Sequence, residues 1–338
     1  MFGPFSAGDS FRVYRLQRKG VSLDLQSHLL QAPAPLREAW LAFVTQQSMG
    51  QPTYVLSDLH DGEGFIQVRY RPHQAAADVT FLAPSLEANG QAATAWSRLL
   101  EGAGTEAAGR GIQRVFASLP ESGAEEEIFY QAGFMLYARE DIYCLAQVPA
   151  ASPDRLPAGV RPQRPEDWPA IQKLCVAITP QRVRQYEGGI MVAAGGERTC
   201  QRYVLPGQGE DELLATVTLY PGNRAHWLRL MVHPEARDVA DDLVRWGLSF
   251  LGKVSQQVIY CNVRQYEGGL RVALQDAGFE PHTTQALTVK HTVAWSKAPA
   301  QDLAAALKSA EVVPPAYRIN GEADLRTGDG RLAATKKS

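Results

Sequence analysis

The feature that most constrains this chain is an internal repeat. Ala132-Gly133-Phe134 recurs as Ala277-Gly278-Phe279, each copy ending a helical stretch just before a run of strand residues. Pro84 and Pro234 likewise each close a strand that leads into a long helix. The two spacings, 145 and 150 residues, agree to within a short insertion, so one order of elements occurs twice. The glycine alone requires only a helix C-cap in the left-handed region; its repeated context is what carries weight. At 338 residues the chain has room for two such units, each with its own core.

Periodicity fills in the units. In the first, strands are expected at 11–16, 54–56, 65–70, 79–83, 114–119 and 135–145, with a turn at Asp61-Gly62. Helices are expected at 35–47, 92–108 and 125–131. In the second, Val160-Arg161 opens, helices follow at 168–178, 239–254 and 270–276, and strands at 203–205, 213–220, 226–232, 258–263 and 286–294. Each unit is expected to close its own sheet with its own last strand. An antiparallel meander followed by strand–helix alternation gives an α/β fold of two tandem domains, each a mixed sheet with helices on both faces. The expected boundaries are a tail at 1–10, domains at 11–148 and 159–297, a Pro/Ala/Ser-rich linker at 149–158, and a C-terminal helix (301–308) with a flexible tail within 298–338.

Composition excludes several classes. A net charge of -2 offers no field for nucleic acid or anionic membrane. No run of 18 apolar residues exists, and Met1 to Ser10 lacks the pattern of a secretion signal. Four scattered cysteines and seven dispersed histidines give no CxxC or HExxH, so a reduced, cytoplasmic protein without metal is expected. GxSxG and GxxxxGK[ST] are absent too.

The element order, Met231-Val232-His233-Pro234-Glu235-Ala236-Arg237 before a helix, and a late Gly-Phe before the closing strands resemble the GNAT N-acetyltransferase superfamily in its tandem form. The resemblance covers residues 11–148 and 159–297. It implies acetyl-CoA or another acyl-CoA as co-substrate and a small-molecule amine or peptide as acceptor. In that family the long helix opens with a [Q/R]-x-x-G-x-[G/A] loop, where free first-turn N–H groups and the helix dipole receive the pyrophosphate. The matching positions are Glu87, Gly90 and Ala92 in domain 1, with Gln91 between, and Arg237, Ala240 and Asp242 in domain 2. Each copy keeps part of the pattern. Domain 1 keeps the small residues and is the better CoA candidate. Domain 2 keeps the arginine but adds Asp238, Asp241 and Asp242, and a carboxylate about 6 Å from a phosphate costs on the order of 3 kcal/mol at an effective dielectric near 20. Asp238 would cap the helix and Asp241 sits at the capping-box distance, so these acids could fill the anion site themselves, or merely face solvent. The strand ends Leu82-Ala83 or Met231-Val232 would offer a backbone N–H to the thioester oxygen.

The resemblance also implies a tyrosine acid four residues before the Gly of Gly-Phe. Phe129 and Leu274 stand there, with Tyr130 one residue, or about 100° of helix, away. A further repeat lies inside domain 2: Val183 to Gly189 and Val263 to Gly269 both read VRQYEGG. This makes Tyr186, Glu187, Tyr266 and Glu267 candidate catalytic groups, with Arg184 and Arg264 available for an anion; a local duplication without function is the plainer alternative. Two functions follow: an acyl-CoA-dependent N-acyltransferase, or a non-catalytic tandem that binds a metabolite or partner.

Overall fold

The computed structural model describes residues 1–58, 62–72, 74–88, 90–121, 123–147, 156–187, 200–209 and 212–292. Asp61, residues 149–155 of the expected linker, Gly188-Gly189, and the expected helix 301–308 with its tail lie outside the described residues. The first half contains β1 (Phe2–Pro4), α1 (Ser10–Leu16), β2 (Val21–Ser22), α2 (Leu25–Leu30), α3 (Pro35–Val44), β3 (Thr53–Asp58), β4 (Gly62–Tyr70), β5 (Ala76–Ala83), α4 (Ala92–Gly109), β6 (Arg114–Pro120), α5 (Ala124–Gln131) and β7 (Met135–Leu145). The second contains β8 (Arg161–Pro162), α6 (Trp168–Ile178), α7 (Gln181–Glu187), β9 (Gln201–Pro206), β10 (Leu213–Tyr220), β11 (His226–Val232), α8 (Ala240–Val254), β12 (Ile259–Arg264), α9 (Gly269–Asp276) and β13 (Glu280–His291).

Helices cover both faces of the sheet, and strand alternation shows why. On β4, Phe65 joins Val13, Leu16 and Ala39 of α1 and α3, whereas Ile66 and Val68 join Trp96, Leu99 and Ala103 of α4. In the second half α8 and α9 pack Leu243, Val244, Leu251 and Leu274 on Leu228, Leu230 and Val263, and α6 covers the other face by packing Ile171 and Leu174 on Met231. Both landmark glycines end their helices as expected: Gly133 and Gly278 lie at φ +88° and +89°, and Phe134 and Phe279 donate back to Phe129 and Leu274.

Three expectations need correction. Residues 11–16 are not a strand but α1: Ser6 and Asp9 form a capping box, and Val13 and Leu16, three apart, face the core while Phe11 faces solvent. Residues 2–4, placed in a tail, pair with β3. The halves do not close separate sheets. One continuous sheet runs β1-β3-β4-β5-β6-β13-β7-β12-β11-β10-β9-β8, with β2 attached to β5. The closing strands are exchanged: β13 completes the first half beside β6, and β7 completes the second beside β12. The exchange is itself symmetric. β7 and β13 lie antiparallel with Glu140 opposite Gln285, residues that the landmark spacing makes equivalent, so a pseudo-two-fold axis passes through that pair.

Candidate active site

The halves open twice where parallel strands part. β5 and β6 pair only from Ala76–Arg114 to Asp78–Phe116, and β11 and β12 only from His226–Ile259 to Leu228–Cys261. Beyond those pairs each strand has a bare edge, where an extended ligand can hydrogen-bond as an added strand would.

The first opening is filled by the chain. At Phe81 and Leu82, β5 has β4 on one edge and β2 on the other, through Ser22 and Val21. The Leu23 N–H donates to the Thr80 carbonyl at 2.9 Å and the Ser85 N–H to that of Lys19. Farther in, the Trp96 indole N–H donates to the Pro84 carbonyl at 2.6 Å, and its ring meets Phe129 edge to face with centroids 6.2 Å apart. Both rings are fully buried, as are Leu82, Ala83 and Ala92, so two aromatics plug the depth of the cleft. Glu87, Gly90 and Gln91 stand exposed at its rim. Tyr130 is 72% exposed, on the opposite side of α5 from Phe129, as the 100° step requires.

The second opening keeps its edge. The His226 N–H goes to Val258 and the His233 N–H to Leu214, so by alternation Leu230 and Val232 turn their N–H groups toward the side that β12 leaves, while that of Met231 belongs to the β10 ladder. Among the described residues no strand pairs with that edge. A small cavity of about 50 Å³ lies there, between Val232, Arg237 and Ala240 on one wall and Tyr266, Glu267 and Gly269 on the other. A Cβ at Gly269 would sit 3.1 Å from the Arg237 stem that crosses it, so the stem would have to give by a few tenths of an ångström. Of the two readings open for the acids at the start of α8, the structure does not show the capping one. Pro234–Val239 forms a 3-10 turn that runs into α8, the cap position falls to Val239 without a side-chain bond, and Asp238 is exposed. The Ala240 N–H is given to the Arg237 carbonyl, so the preceding turn supplies acceptors that an acid or an anion would otherwise supply.

Glu267 carries the main electrostatic feature of this opening. Burial pushes its carboxyl up to about 7, against the opposing pull of the Arg264 backbone N–H and the Arg229 and Arg264 charges. Burial also raises the neighbouring Tyr266 hydroxyl, which approaches Thr179 but meets no hydrogen-bond partner in good geometry.

On the face covered by α6, strands of both halves line a central cavity of about 120 Å³ at the pseudo-two-fold axis. Its walls are ion pairs. Arg71 grips Asp78 at 2.6 Å and Arg69 bridges Asp78 and Asp24. Burial alone would raise the Asp24 carboxyl, but Arg69 and the Ser27 hydrogen bonds hold it below its ordinary value. From the second half, Arg264 reaches Glu140 at 2.9 Å and Glu187 at 3.1 Å. Tyr137 donates to Glu187, Asn262 to Glu140, and Trp227 to Asn262. Burial opposes the Arg264 charge, yet Glu187 and Glu140 outweigh it and lift its pKa well above the ordinary value. The two VRQYEGG copies therefore meet here, Glu187 of the first pairing with Arg264 of the second. Tyr186 stays outside, its ring 5.7 Å from that of Tyr137 and 5.8 Å from that of His291. Asp24, Arg69, Asp78, Glu140 and Asn262 carry no local signal in the sequence; only the sheet order brings them together. Among the described residues no group of three side chains could hold a metal, and no helix is long and apolar enough to cross a membrane.

No protein-family model matches the chain, and no curated protein matches it in sequence. Its fold does match solved structures. A GCN5-related N-acetyltransferase from Sphaerobacter thermophilus is 13% identical, with a TM-score of 0.50 over 87% of this chain and 96% of that one. A tandem GNAT protein from the clavulanic acid biosynthesis pathway is 14% identical, with a TM-score of 0.50 over 87% and 99% of the two chains. At such identities the likeness speaks for fold, and together with the repeated order of elements it makes this chain a tandem pair of acetyltransferase-like domains with the GNAT fold.

Proposed function

We propose that the second half binds an acyl-CoA and passes its acyl group to an amine, while the first half, its strand edge already paired, serves as a wall of the acceptor site. The observation that carries this reading is the contrast between two equivalent positions: Leu82 is paired to Val21, whereas Val232 faces an open edge. A linear pantetheine arm fits that edge, and Arg237 supplies a cation at its outer end. The turn before α8 has used the Ala240 N–H, one of those that would hold the pyrophosphate, so weak binding is expected. When bound, acyl-CoA supplies an activated carbonyl. The Val232 N–H would donate to its oxygen, Glu267 would take the proton of the attacking amine, and Tyr266, which keeps its proton at neutral pH, would give it to the CoA thiolate as the C–S bond breaks.

Isothermal titration with acetyl-CoA tests this. Binding in the range of ten micromolar to one millimolar is expected, weakened about tenfold or more by Arg237→Glu and unchanged by Gly90→Glu. Loss of binding on altering Gly90 alone would return the site to the first half. The second reading, a non-catalytic binding protein, is favoured by the consumed helix start of α8; no acetyl-CoA binding at millimolar concentration would establish it.

A further inference from the structure

The central cavity has a composition that specifies a ligand. Four arginines and four carboxylates line it, from both halves, so its formal charge is balanced. An ion of either sign entering such a space gives up its hydration without an excess of opposite charge to replace it. A molecule that carries both signs meets both on the walls. One polar side chain there is left partly without partners. The Arg264 Nη1 is buried and makes no hydrogen bond, although its Nε and Nη2 face Glu140 and Glu187. Gln285, itself buried, lines the same cavity. Buried donors without acceptors are rare in folded proteins and mark a place where something else binds.

Size narrows the choice. An engineered cavity of about 150 Å³ holds benzene, so about 120 Å³ takes roughly five non-hydrogen atoms, the number in an amino-carboxylate head. Asp24, Arg69 and Thr80 are shared with a wider groove of about 440 Å³, into which a substituent could extend. Position narrows it further. Arg264 lines the cavity with its side chain and gives its backbone N–H to Glu267, so one residue links the cavity to the base. We infer that the central cavity takes the amino-carboxylate head of an α-amino acid, its carboxylate on Arg264 Nη1 and Gln285, its ammonium toward Asp78 and Glu140. This rests on the proposed acyl transfer in one respect only, namely that the bound amine is the acceptor. The head group would enter as a zwitterion and lose one ammonium proton to solvent before its nitrogen attacks; Glu267 would take the second as the C–N bond forms, and the CoA thiolate would leave with the Tyr266 proton as the C–S bond breaks.

Direct titration of the full chain, without acyl-CoA, separates the two ideas. The twenty standard amino acids are screened, and alanine is compared with ethylamine and propionate, each of which lacks one charge. Millimolar or tighter binding of at least one amino acid is expected, with the compounds lacking one charge at least tenfold weaker than alanine. Arg264→Met should abolish binding, but it also strips Glu140 and Glu187 of their partner and endangers folding. Gln285→Leu is therefore the second variant, expected to weaken binding three- to tenfold with the thermal midpoint of the parent. Propionate or ethylamine binding as tightly as alanine, no amino acid binding at 10 mM, or full affinity in Gln285→Leu would each overturn the inference. Amino-acid binding without any acetyl-CoA binding would uphold the site and remove the transfer reaction instead.

Discussion

Glu267 ties activity to pH and to stability in opposite directions. A base with a pKa of about 7 must be ionised to accept a proton, so the rate of acyl transfer should rise with pH through an apparent pKa near 7 and then level. Glu267→Gln should remove that dependence and lower the rate by about 10²–10⁴-fold. The folded protein holds this proton more tightly than the unfolded chain does. Its contribution to stability is thus complete below the ordinary glutamate range and is lost as pH rises through about 7. Glu267→Gln should therefore be more stable than the parent at pH 8, by on the order of 1–3 kcal/mol, and no more stable at pH 4. Urea unfolding at both pH values checks this. The repeated heptapeptide made Glu187, Arg264 and Glu267 visible in the sequence, because identical segments at unlike places invite attention. It gave no means of separating Tyr186, which packs outside the cavity, from Tyr266, which lines the cleft. For Asp238 and Asp241 the sequence left capping and exposure both open, because a carboxylate at a helix start caps it only where no earlier turn already provides acceptors.

Among the elements, the two-residue strand β2 has the largest effect. Residues 19–23 run along the edge of β5 and turn a ligand groove into part of a core. Gly20 makes the approach possible, for a Cβ there would collide with the Phe81 ring and sit 2.8 Å from the Leu82 carbonyl oxygen. Gly20→Val should lower stability by about 1–3 kcal/mol through overpacking, and should leave acetyl-CoA binding by the second half intact. Loss of that binding in a folded variant would mean that the first half holds the cofactor after all. Long elements were legible, since α4, α6, β10 and β11 carry enough apolar residues at one period to declare themselves. Short ones were not. β2 has no alternation to show in two residues, and α1 and α7 span only seven each, so tertiary contacts, not local pattern, decide their state.

At the scale of the molecule, the exchange of β7 and β13 makes the two halves one folding problem. Sequence alone shows the repeat but not the exchange, because either last strand fits beside either sheet by its own alternation. Separate polypeptides of residues 1–147 and 156–292 would each carry a closing strand aimed at the other's sheet and an edge, β6 or β12, without its neighbour. Each alone should aggregate or dimerise by swapping that strand, and the pair expressed together should give a soluble one-to-one complex, which size-exclusion chromatography with light scattering would detect. Two stable monomers would show that the shared sheet is dispensable. The same exchange bears on how the protein is made. The edge of β6 is complete once residue 120 has left the ribosome, but its partner begins at residue 280. At about 5–20 residues per second the nascent first half must wait roughly 8–32 seconds with a bare strand edge exposed. For that interval the growing chain is a client for whatever shields unfinished sheets in the cell, and slower translation lengthens its exposure.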